Sequence, residues 1–114
     1  MSGDLSHLQT QERAALDECM ARLIKALGTQ LVGIWLFGSK ARGDSEPDSD
    51  IDLLIVIPEL DWSLWDQIRM IAARVSLEYD VLLNTHILDR SRWNEQGQYR
   101  GMLWRAVQQD GVRL

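Results

Sequence analysis

Gly38 and Ser39 close one apolar run of the chain, and Asp50 and Asp52 open the next, with Lys40, Arg42, Asp44, Glu46 and Asp48 between them. Five carboxylates thus fall within nine residues, directly before the apolar sequence Leu53–Ile57. Two like charges about 4 Å apart repel by roughly 1–4 kcal/mol at water-like to surface-like dielectric, so acids gathered this closely need a proton or a cation. A hard divalent ion suits an all-oxygen site, and Mg2+ is commonly held by one or two carboxylates together with substrate phosphates. The other half of the stretch suits phosphate. Gly38 lets the backbone approach closely, and Ser39 offers a hydroxyl and an amide. If Ser39 begins a short helix, its free N–H groups form an anion site. Lys40 and Arg42 add positive charge, and a guanidinium can grip phosphate with two parallel hydrogen bonds. A plainer reading stands beside each of these. Arg42 equally suits a structural salt bridge, Lys40 reads as an exposed side chain, and Asp44, Glu46 and Asp48 read as a solvated rim stiffened by Pro47.

The elements that must position these residues follow from apolar spacing. Leu16, Met20, Leu23 and Leu27 recur at three and four, which predicts a helix from about Leu8 to Leu27, opened by the capping-box spacing Ser6–Gln9 and stopped by Gly28. Leu31–Phe37 and Ile51–Ile57 read as buried strands, broken by Gly38 and Pro58. Leu64, Ile68, Ile71, Ala72 and Val75 mark a helix from about Ser63 to Leu77, with Asp61 or Ser63 as its cap. Tyr79–Leu83 reads as a third strand, which the sequence Thr85–Leu88 either extends or follows with a fourth. A last helix spans about Gln98 to Gln109, with Tyr99, Met102, Leu103, Ala106 and Val107 facing inward. The fold class is α/β (or α+β), a short mixed sheet with helices packed on it.

This order constrains the acids. Asp50 and Asp52 are two apart, so in a strand they point to one side. If the first two strands pair antiparallel, Ser39 meets both aspartates at one end of the sheet. The helix returns the chain, and the third strand starts at that same end, parallel to the second. Its opening residues include Asp80, twenty-eight positions after Asp52, which can then join Asp50 and Asp52.

Composition bounds the rest. A chain of 114 residues with 46% hydrophobic and 25% charged residues suits one domain over 1–114. Twelve basic against seventeen acidic residues, net −5, argues against direct nucleic-acid binding, which rests on a basic face. The single cysteine, Cys19, excludes an internal disulfide and reads as core packing. No apolar run is long enough to span a membrane and the N-terminus is polar and acidic, so a cytoplasmic location is expected. His7 and His86 lack metal-ligand spacing. The tryptophans read as core, with Trp62, Trp93 and Trp104 as candidates for partial exposure.

Gly38-Ser39-Lys40-Ala41-Arg42-Gly43 followed by Ser49-Asp50-Ile51-Asp52-Leu53 resembles the signature of the DNA polymerase β-like nucleotidyltransferases, and most closely its minimal nucleotidyltransferase branch. The resemblance implies the nucleotidyltransferase fold and an enzyme that transfers a nucleoside monophosphate, AMP from ATP, with release of pyrophosphate. It implies that Asp50, Asp52 and Asp80 are the catalytic carboxylates and bind two Mg2+ ions, and that Gly38 and Ser39 hold the β- and γ-phosphates. Members of this branch are often antitoxins that adenylylate a HEPN-type toxin on a tyrosine hydroxyl, which implies such a toxin as partner. Larger relatives carry a second domain for the acceptor; none is expected here, so the acceptor site is expected to come from a bound protein. Two other readings stand beside it. One is a non-catalytic antitoxin that neutralises a partner by occlusion. The other is a homodimeric enzyme acting on a small molecule.

Overall fold

A computed structural model of the chain describes residues 4–44, 46 and 49–114. Helix α1 (Thr10–Leu27) leads through a single 3-10 turn into strand β1 (Gly33–Phe37), the one-turn helix α2 (Ser39–Arg42) and strand β2 (Ile51–Ile57). Helix α3 (Trp62–Tyr79), strand β3 (Leu83–Asp89), helices α4 (Arg90–Gln98) and α5 (Met102–Asp110) and the two-residue strand β4 (Val112–Arg113) complete it. The strands form one mixed sheet in the order β3-β2-β1-β4. β1 lies antiparallel to β2, and β3 lies parallel to it, as a strand–helix–strand crossover requires.

Strand alternation divides the core. Ile34, Leu36, Ile51, Leu53, Ile55 and Ile57 face α1 and α3, packing on Leu16, Cys19, Leu23, Ile68 and Val75. Phe37, Leu54 and Val56 face the other way, onto Val107, Trp93 and Leu103 of α4 and α5. Both faces of β2 are therefore covered, which is why its sequence is apolar without interruption from Leu53 onward. Asp52 shares the face of Leu54 and Val56 and sits at the uncovered end of the strand, paired with Phe37 of β1.

Several expected boundaries move. Helix α1 starts at Thr10, and the capping box is formed by Gln9 and Glu12, not at Ser6: the Gln9 backbone N–H donates to Glu12 Oε1 at 2.8 Å. The cap of α3 is Asp61, whose carboxylate accepts from the N–H groups of Ser63 and Leu64. α3 continues through Tyr79, so Tyr79–Val81 is not strand. Asp80 ends the helix in the left-handed region, φ 53, a conformation that aspartate tolerates better than most residues. The Val81 N–H then donates to Ser76 O, the Leu83 N–H donates to Ser76 Oγ, and β3 begins at Leu83. Residues Thr85–Leu88 are the body of that strand.

Helix α4 was not legible, because it is largely polar and contains Gly97; Asp89 opens it by accepting from the Arg92 N–H. The final helix starts at Met102 and not at Gln98. Tyr99 and Met102, expected to face inward, are 73% and 82% exposed. Among the described residues no helix is long and apolar enough to cross a membrane.

Candidate active site

Gly38 turns the chain out of β1 with φ 79, a conformation natural to glycine. A Cβ there would lie 2.5 Å from Asp52 Oδ2, so the turn closes directly over one carboxylate oxygen. Ser39 then opens the expected short helix, whose Ala41 and Arg42 N–H groups both donate to Gly38 O. Gly43, φ 86, ends it, with its N–H donating to Ser39 O at 2.8 Å.

The two basic residues of the turn serve the structure. Lys40, expected to be exposed, is only 2% exposed and forms an ion pair with the buried Glu12 of α1. Its ammonium also donates to Glu46 O at 3.3 Å. The helix repeat explains the burial: Lys40 and Ala41 face α1 and the sheet, so the cation enters the core only beside an acid. Arg42 contacts Asp44 through Nε at 3.1 Å and the buried Asp110 of α5 through Nη1 at 3.0 Å. The hydrogen bonds it donates to Asp44 and then to Asp110 hold its guanidinium above its ordinary range. Of the two readings for Arg42, this is the structural salt bridge. Pro47 and Asp48 of the expected rim lie outside the described residues; Asp44 and Glu46 are exposed.

The carboxylates are placed differently. Asp52 has no Lys or Arg within ion-pair distance among the described residues. Its neighbours come from β3, in register: Asn84 stands beside it, and its Nδ2 donates to Asp52 Oδ1 at 3.1 Å. His86 Nε2 lies 3.7 Å from the same oxygen, and the His86 ring meets Phe37 edge-on, centroids 5.2 Å apart. Asp50 precedes the strand, half-buried, and lines a groove of about 510 Å3 with Asn84, Thr85, Arg69, Leu77 and Leu82. Asp80 does not join them. It is exposed at the end of α3 and lines a separate cavity with Gln9, Gln11, Glu12 and Ser49. Among the described residues no three His, Cys, Asp or Glu side chains converge in a way that could hold a metal ion. The expected Asp50–Asp52–Asp80 triad is therefore not assembled, because the αL residue Asp80 ends a helix and does not begin a strand.

Asn84 and His86 are the neighbours that the sequence reading missed. Their spacing of two was a signal, since residues at 84 and 86 share a face, but only the parallel register decides which face and which partner.

The profile of the nucleotidyltransferase domain family matches residues 20–99, and the chain belongs to that family. It is 41% identical over 66 residues to a Methanocaldococcus jannaschii protein named "Putative protein adenylyltransferase MJ0141", covering 57% of this chain and 67% of that protein. The fold is similar to that of spectinomycin adenyltransferase AAD(9) from Enterococcus faecialis, solved with ATP and spectinomycin (TM-score 0.54, 23% identity, 74% of this chain and 35% of that one). It is also similar to a chain of a toxin–antitoxin crystal structure with AMP-PNP (TM-score 0.53, 22% identity, 83% of this chain and 68% of that one). The chain is a nucleotidyltransferase, with the mixed sheet and flanking helices of that fold.

Proposed function

We propose that this enzyme transfers AMP from ATP to a hydroxyl of a partner protein, and that the partner is a HEPN-type toxin for which the chain acts as antitoxin. The observation that carries the reading is the closure of the Gly38–Ser39 turn over Asp52, a carboxylate with no Lys or Arg partner among the described residues. The relative named as a protein adenylyltransferase supports the transferred group and the class of acceptor. The toxin–antitoxin likeness in fold supports the partner.

Asp50 and Asp52 fit a divalent cation of the Mg2+ type: both are oxygen donors at one end of the sheet, and triphosphate oxygens would complete the shell. Such an ion would supply charge stabilisation at the attacking and departing oxygens. Ser39 and the Gly38 backbone would orient the β- and γ-phosphates. The acceptor hydroxyl oxygen then forms a bond to the α-phosphorus and gives up its proton to solvent, the bond to the bridging oxygen breaks, and pyrophosphate leaves with the electron pair. Asp80, first assigned as a third ligand, stands apart in this arrangement; the half-exposed end of β2 carries the site.

The test uses purified protein, Mg2+, ATP labelled at the α-phosphate and the toxin, beside Asp52→Asn. Label on the toxin with the wild type alone supports the reading. Full neutralisation of the toxin by Asp52→Asn, without label, would establish occlusion instead.

A further inference from the structure

We infer that Asn84 is a positioning residue for Asp52, and that the cation site of this chain holds two carboxylates with a neutral amide in the third place. The inference rests on the reading of Asp50 and Asp52 as cation ligands and goes beyond it by assigning the residue that aims one of them.

Three observations converge on Asn84. The parallel register sets it directly beside Asp52. A carboxylate only accepts hydrogen bonds, so the amide must turn its NH2 toward Asp52, where Nδ2 lies 3.1 Å from Oδ1. The other carboxylate oxygen, Oδ2, then faces the Gly38 turn, where only the missing Cβ leaves room for it. Asn84 also lines the groove that contains Asp50. One amide thus fixes one oxygen of Asp52 and directs the other at the turn, while bordering the space in front of Asp50.

The charge follows from the same geometry. A third carboxylate at this strand position would give the site a third negative charge and bind a divalent ion before nucleotide arrives. An amide gives two charges and leaves much of the coordination to the triphosphate. Cation binding by this chain is therefore weak alone and strongly coupled to nucleotide, since hard-ion affinity rises with ligand charge count.

The test titrates nucleotide-free protein with Mn2+ alone, reading free ion by electron paramagnetic resonance. Asn84→Asp should tighten Mn2+ binding by about tenfold over wild type, and a gain below about threefold overturns the inference. Asn84→Ala, which removes the amide without adding charge, should lower kcat by about 10–100-fold at an unchanged melting temperature. A kcat within about threefold of wild type overturns the inference as well, and this arm decides if Asn84→Asp does not fold. The Mn2+ titration does not need turnover. A wild type that transfers no AMP would refute the proposed function and leave the assignment of Asn84 to be judged by Mn2+ alone.

Discussion

Lys40 and Asp52 belong to the same short motif, yet the fold treats their charges in opposite ways. Lys40 is buried against Glu12, and Arg42 is held by Asp44 and Asp110. Both cations tie the turn to α1 and to α5. Asp52, ten residues after Arg42, meets an amide and a histidine and no Lys or Arg among the described residues, and Asp50 faces an open groove. The basic residues of the motif are thus paired with acids, whereas Asp50 and Asp52 have no Lys or Arg partner among the described residues. Residue type alone suits Lys40 and Arg42 to phosphate; the fold shows each of them paired with acids.

The sharpest break of this contrast comes from Asp52→Asn. It keeps shape and the β2 register, so the melting temperature should stay within about 2–4 °C, while AMP transfer should fall by about a thousandfold, as for loss of a central electrostatic group. Transfer that survives would place the chemistry elsewhere. Lys40→Met should act on stability first. It leaves Glu12 buried without its cation, at a cost of about 3–5 kcal/mol in urea unfolding. Replacing Glu12 with Leu in the same chain should recover most of that loss, because two apolar groups replace a desolvated pair. Failure of the second change to compensate would mean that Lys40 has a role outside the pair.

Gly38→Ala tests the close approach itself. The positive φ costs about 1–3 kcal/mol, and the new Cβ must displace Asp52 Oδ2, so transfer should fall together with stability. Arg42→Ala should be milder than Lys40→Met: the guanidinium is 41% exposed, so solvent screens the pair, but the buried Asp110 loses its partner, and about 1–3 kcal/mol is expected. The KM for ATP should stay within about threefold of wild type, where a lost phosphate contact would raise it more. A check on the core rather than the site is Cys19, whose thiol is pushed up to about 11 by burial. It should react with a thiol reagent only after unfolding, and rapid labelling of the native protein would show the α1 packing to be loose.

Much of the molecule was legible because its signals are local. The α1 stripe, the two apolar strands, the Asp61 cap and the Gly28 stop each rest on residues that act within a few positions of one another. The antiparallel β1–β2 pair, entered only as a condition, is the pairing the fold adopts, and the parallel β3 followed from the helix that returns the chain. Helix α4 escaped because it buries little and its sequence is polar. The fate of Tyr99 and Met102 escaped because the last helix begins later than its pattern suggested.

The sequence by itself determined that a Gly-Ser turn and an Asp-x-Asp pair would meet at one end of a covered sheet, since apolar strands flank them and strand direction is fixed by the loops. What only the tertiary structure decided is the company each charge keeps. Whether Asp80 opens a strand or ends a helix depends on one αL residue, and three positions of chain separate the two outcomes. Whether Asn84 or another residue stands beside Asp52 depends on the register of β3, which is set by burial of Leu83 on one face and not by any pattern near Asp52. Long-range pairing of this kind leaves no local trace, so the neighbours of Asp52 had to be read from the fold.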